Sequence, residues 1–350
     1  MSVVFAILLF SILVFVHELG HFVAAKASGV RVNEFSMFMG PAIFKKKVGE
    51  TLYSLRCIPI GGYCAMEGED KDTDDPHSFQ KAAWWKRLII LVAGSAMNLI
   101  AGFLILAIVY APAKQFVVPV IEYAEEGCTV VREGGLQIGD EIIELDGEKI
   151  YLQSDFSSIL QMNPGNVHDI VVERNGERLE FDDYLMETHL FPGEKTERYG
   201  FSFSVVDATF GSKLNYVWKT GLNVVRSVRL SLTMIVKGQA GIKDMTGPVG
   251  IVQIMSDTAS EAPTALDALL NMLYFGGFIA INLAVMNMLP IPALDGGRVV
   301  GLLLISAIEG ITRKKLDPKY EGYIHGAGMI ILLALMVVIL FKDIFVVFKG

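Results

Sequence analysis

Four stretches of this chain are long and apolar enough to cross the roughly 30 Å of hydrocarbon in a bilayer. That leaves few architectures open to it. Residues 2–25 carry no charge as far as Val16, residues 88–113 and 268–289 carry none at all, and residues 324–341 form the fourth run. With 350 residues, 52% of them hydrophobic, and a mean hydropathy of +0.47, the chain is too apolar for an ordinary soluble protein. The first run ends in Ala25-Lys26-Ala27, which resembles a signal-peptidase site. However, it lacks a positive leading region and is long for a signal sequence, so an uncleaved span is expected.

Basic residues set the expected orientation. Lys26, Arg31, Lys45, Lys46, Lys47, Lys86 and Arg87 lie between spans one and two, and Arg298, Arg313, Lys314, Lys315 and Lys319 between spans three and four. Those loops are predicted cytoplasmic, with both termini and the acidic 114–264 region outside. A net charge of −8 argues against a nucleic-acid partner. Cys57, Cys64 and Cys128 do not make a disulfide framework and read as packing residues.

Inside the first span stands HELGH, residues 17–21. Ionisable groups within a span are costly and read by default as functional. On a helix His17 and His21 share one face a turn apart, so both imidazoles can reach one ion. Glu18 is rotated about 100° away and can address a water beside that ion. This is the mechanical content of H-E-x-x-H as a zinc hydrolase signature. Two core histidines hydrogen-bonded within a bundle are the plainer reading.

Catalytic zinc usually takes three protein ligands. NMLPIPALDGGR, residues 287–298, offers Asp295 at the cytoplasmic end of span three. Pro290 and Pro292 break the helix, and Gly296 and Gly297 let the chain turn closely. His17 lies about 16 residues, roughly 24 Å, from the outer end of its span, so both motifs fall toward the same side. A helix-ending turn residue is the plainer reading of Asp295.

HELGH in the first span and NMLPIPALDGG in the third resemble the site-2 protease family of intramembrane zinc metalloproteases, in its bacterial regulator-of-sigma-E (RseP-type) branch. IPIGGYCAMEGED (58–70) is similar to that branch's membrane-associated β-hairpin, SFQKAAWWKR leads into the second span, Gly94 and Asn98 match a G-x-x-x-N pattern, and GPVGI (247–251) precedes the third span. The resemblance implies one zinc ion per chain on His17, His21 and Asp295, Glu18 as the catalytic residue, and Asn282 and Asn287 holding the substrate backbone. Polar packing between helices is the alternative for the two asparagines. Ser95 and Arg298 depart from the residues of many relatives, which bears on local geometry more than on the ligands.

GLQIGDEIIELDG (135–147) resembles the PDZ signature, so residues 115–206 are expected to form one PDZ domain, able to pair with a peptide strand or to act as a steric gate. EEGCTVVREGG departs from the usual ligand loop. Residues 211–240 read as an amphipathic helix at the outer membrane face, or as a packed helix beneath that domain.

The expected fold class is a multi-pass α-helical membrane protein, four transmembrane helices with a membrane-associated β-hairpin, plus one extracytoplasmic β-rich PDZ domain. Its expected parts are 1–25 (first span), 26–87 (cytoplasmic loop and hairpin), 88–113 (second span), 115–206 (PDZ), 207–264 (extracytoplasmic linker), 265–298 (third span with LDGG), 299–322 (cytoplasmic side) and 323–348 (fourth span). The resemblance implies a bacterial plasma-membrane protease with its active site toward the cytoplasm. Its implied substrates are single-span proteins already trimmed outside, such as anti-sigma factors, and remnant signal peptides. The hairpin edge, with Ile58 and Ile60, is expected to receive the extended substrate. A catalytically silent membrane-anchored PDZ scaffold would use the same spans without needing Glu18. A transporter would more typically show internal repeats.

Overall fold

The computed structural model of the chain describes residues 2–69, 73–193, 195–241, 245–312 and 319–349. The first apolar run forms α1 (Ser2–Ser28). Gly29, at φ +80°, stops it: the Gly29 N–H returns to Lys26 O at 3.1 Å and the Val30 N–H to Ala25 O at 2.9 Å. That is the double bond of a left-handed helix C-cap. Two long strands follow, β1 (Val32–Val48) and β2 (Thr51–Met66), joined by a two-residue turn with Gly49 at φ +63°. Residues 34–37 register against both 52–55 and 62–65, so the hairpin folds back on itself and residues 62–66 form one of its flanks.

α2 (Trp84–Tyr110) is the second apolar run. Next come β3 (Gln115–Ala124), β4 (Glu141–Leu145), β5 (Glu148–Lys149), α3 (Gln153–Met162), β6 (Val167–Arg174), β7 (Glu177–Leu185) and β8 (Phe201–Asp207). The remaining elements are helices: α4 (Phe210–Val236), α5 (Pro248–Ser260), α6 (Ala265–Asn287), α7 (Asp295–Thr312) and α8 (Lys319–Lys349). The chain divides into two compact units, residues 1–109 with 225–350, and residues 110–224.

In the helical unit four segments are long and apolar enough to span a bilayer: Val4–Ser28, Trp84–Tyr110, Ala265–Asn287 and Ile324–Asp343. This is a membrane protein. Its helices approach closely where glycine stands. A Cβ on Gly102 of α2 would lie 2.5 Å from Ile281 of α6, and one on Gly277 would lie 3.0 Å from Leu106. Close approach through small residues is the usual means of packing helices in lipid. The expected third span, 265–298, is interrupted after Asn287: residues 288–294 turn, and the LDGG aspartate opens a separate helix, α7. α5, which starts on the GPVGI motif, is also a helix of its own. Asp343 of α8, buried, accepts the Gly250 N–H at 3.1 Å and thereby caps the first turn of α5.

The second unit is a six-stranded sheet ordered β7-β6-β4-β3-β8, with β5 paired to β4. Its Asp146-Gly147 and Asn175-Gly176 turns have both central residues at positive φ, the type that matches strand twist. α3 contributes Phe156 and Ile159 to a core with Ile121, Leu136, Ile142 and Ile170. In the GLQIGD stretch Asp140 is fully buried and takes bonds of 2.6 and 2.7 Å from Arg174 and 2.8 Å from the Gln137 N–H.

Candidate metal centre

Helical spacing does what HELGH requires of it. His17 and His21 sit on one face of α1 with Nε2 atoms 3.2 Å apart and rings edge to face at 84°. The Nδ1 of His21 donates to Ile90 O of α2 at 2.8 Å. A proton held there leaves the Nε2 lone pair free for an ion, the usual second partner of a metal-binding imidazole.

Asp295 arrives from the other end of the unit. Its Oδ2 lies 3.2 Å from His17 Nε2 and 3.3 Å from His21 Nε2, so the donor atoms form a near-equilateral triangle. Donors about 2.0–2.1 Å from a tetrahedral zinc stand about 3.3 Å apart. The same Oδ2 is buried and makes no hydrogen bond. A buried carboxylate oxygen left this way costs several kcal/mol unless something positive faces it (about 1–3 or more). Among the described residues this is the one group of three that could hold a metal. Donor set, spacing and orphaned oxygen all fit zinc.

Glycines make the convergence possible. A Cβ on Gly94 of α2 would sit 2.3 Å from His21 Nε2 and 2.8 Å from His17 Cε1. On Gly20, the glycine inside HELGH, it would meet Ala93 O at 2.4 Å. At the other motif, a Cβ on Gly296 would fall 2.3 Å from Met288 C and O, and one on Gly297 2.3 Å from Ile291 O. The LDGG pair thus lets α7 start directly against the backbone that precedes it.

The triangle opens on a cavity of about 630 Å3 lined by His17, Glu18, His21, Asp295, Arg298 and the stretch from Tyr63 to Glu69. Glu18 faces it beside β2, where a Cβ on Gly62 would lie 3.5 Å from Glu18 Cγ. A carboxylate off the ligand triangle but on the same cavity can accept a proton from a water there. Arg298, three residues after Asp295 on the same face of α7, pairs across the wall with Glu69. Sequence reading left Glu69 out; its signal was the charged EGED following the hairpin. Asn282 and Asn287 lie half-buried on α6, and neither lines this cavity. Ile58 is exposed and stands away from it, and the Ile60 side chain lies outside the described residues. The flank of the hairpin at the cavity is instead residues 63–66. Cys64 belongs to that flank; burial pushes its thiol up to about 12, with Glu18 and Glu69 adding to the shift, and it is a wall residue outside the group of three donors.

A membrane-embedded HExxH helix joined to an aspartate at a glycine-rich helix start defines a metallopeptidase class, and comparison with known proteins agrees. The model of peptidase family M50 matches residues 5–335. A zinc metalloprotease candidate of Clostridium perfringens is 35% identical, over 98% of both chains. Zinc metalloprotease RasP of Shouchella clausii is 29% identical over 97% of both, and regulator of sigma-W protease RasP of Bacillus subtilis is 27% identical over 98% of both. The chain belongs to peptidase family M50.

Proposed function

We propose that this chain is a zinc-dependent intramembrane endopeptidase that cuts the membrane-embedded segments of single-span proteins. The observation that carries the reading is the triangle of His17, His21 and Asp295 with Glu18 on the same cavity. The two histidines and Asp295 would hold one zinc ion. When bound, zinc supplies a Lewis acid that polarises the scissile carbonyl and acidifies water.

The chain's own groups do the rest. Glu18 takes the proton of the attacking water and returns it to the departing amine, so one carboxylate serves as base and then acid. The hydrogen bond from His21 to Ile90 O fixes the imidazole and its tautomer. A helical substrate hides its carbonyls in its own hydrogen bonds, so the segment to be cut must first become extended. β2 at residues 62–66 runs beside Glu18 and offers a strand for it to lie along, with Ile58 and Ile60 further along the hairpin guiding its entry and Asn282 and Asn287 holding freed backbone.

The sigma-regulator name of one relative, together with the spans, supports membrane-bound anti-sigma factors as the substrate class. Residues 115–206 act as one PDZ domain on the extracytoplasmic side, binding a peptide or excluding untrimmed ectodomains, and the metal centre lies toward the cytoplasm of a bacterial plasma membrane. The Asp-Gly turn, the buried Asp140 and the α3-covered sheet support the PDZ reading.

The test is cleavage of a reconstituted transmembrane peptide by the purified protein and by Glu18→Gln, with zinc quantified in both. The expected result is one zinc in each and a loss of about 10²–10⁴-fold in turnover for the variant. Equal turnover would remove Glu18 from the chemistry.

A further inference from the structure

We infer that α8 clamps the turn before Asp295, with His325 as a positioning residue for the metal ligand. The proposal rests on the metal-centre reading and adds to it a residue outside both motifs. Ala293, two residues before Asp295, is held at φ +85°, a conformation that residues with a Cβ rarely adopt. Its N–H donates to His325 Nδ1 at 3.1 Å. Gly328, one turn further along α8, meets the same segment: a Cβ there would lie 2.4 Å from Pro292 Cβ and 2.7 Å from its carbonyl atoms. Residues three apart share a helix face, so one stripe of α8 both bonds and abuts the Pro292-Ala293 turn.

The turn is thereby gripped from two sides. Gly296 and Gly297 pack it against residues 288–291 from within, and His325 and Gly328 close it from α8. Releasing the Ala293 N–H would let that residue relax from positive φ, and the direction in which Asp295 leaves the turn would change with it. His325 does not itself ligate: its Nδ1 accepts the Ala293 N–H, which leaves the ring proton on Nε2, and it lies outside the group of three donors. Holding a carboxylate within tenths of an ångström of two imidazoles is the work of such supporting groups, whose loss typically costs about 10–100-fold in metal affinity.

The full-length protein tests this with His325→Leu, His325→Asn and Gly328→Ala, reading zinc release to a chelator alongside turnover and thermal melting. Asparagine places an amide oxygen near the position of Nδ1 and can accept the same N–H. The clamp expects zinc release faster by about 10–100-fold in His325→Leu and in the same direction in Gly328→Ala, near-normal release in His325→Asn, and turnover falling more than KM changes. Normal release in His325→Leu, or equal loss in leucine and asparagine variants, overturns it. If His325→Leu does not fold, the asparagine and Gly328→Ala variants decide alone, the first expected near normal and the second fast. If the unsubstituted protein holds no zinc, the metal-centre reading fails first and the clamp with it. If it holds zinc that His325→Leu does not loosen, only the clamp fails.

Discussion

Asp140 in the β-rich unit and Asp295 in the helical unit are both carboxylates placed against a strand or helix start, yet they are treated in opposite ways. Asp140 is fully buried and answered by Arg174 and a backbone N–H. Asp295 Oδ2 is buried beside two imidazoles and makes no hydrogen bond. The first arrangement spends its polar groups on the fold. The second leaves donor atoms uncommitted, which is tolerable only where a cation completes them. The means of support differ as well: the β unit relies on a dense apolar core, the metal centre on glycines that let helix backbones meet.

The contrast breaks most sharply at Gly94. Gly94→Ala puts a methyl 2.3 Å from His21 Nε2, and zinc affinity and cleavage should both fall by at least about 10–100-fold, while hydrogen exchange in residues 110–224 stays unchanged. Retained zinc would mean that α2 does not pack on the histidines as described. Arg174→Ala is the mirror experiment: it strands a buried Asp140, so the β unit should lose about 3–5 kcal/mol with zinc content untouched. A β unit of undiminished stability would show that Asp140 is solvated rather than buried.

A smaller effect is expected where polar pairing reaches the metal cavity. Glu69→Gln breaks the Arg298 pair on its wall, is partly open to solvent, and should cost about 1 kcal/mol, seen as a severalfold rise in KM. Exchanging the two charges should restore part of it; no recovery would mean the residues act separately. The slightest perturbation is chemical. Mild alkylation should label exposed Cys57 and spare Cys64, whose thiol burial pushes up to about 12. Rapid labelling of Cys64 would place it outside the wall.

Much of the centre was legible in the sequence because its signals are local. HExxH spacing and helix-breaking prolines before LDGG each carry their geometry in a few residues, and long uncharged runs fix spans whatever surrounds them. The helix starting at Asp295 was not foreseen, since a break followed by apolar residues 299–304 looks like the end of one span. Nor was the role of Gly20 or Gly328. A glycine's partner is a residue on another helix, Ala93 or Pro292, and no spacing within one segment reveals it. The sequence marks a hairpin edge with Ile58 and Ile60 as a place for an extended substrate, while the hairpin residues that meet the cavity are 63–66, because the strand folds back in a way set by register and not by pattern.

X-ray absorption at the zinc edge of the Glu18→Gln protein in lipid tests the central claim most directly, because it reads the ligands and not their consequences. Two imidazole nitrogens at about 2.0–2.1 Å, with oxygen at about 2.0–2.2 Å and no sulfur, are the expected shell. A sulfur at about 2.3 Å, or a single imidazole, would contradict a centre built from His17, His21 and Asp295.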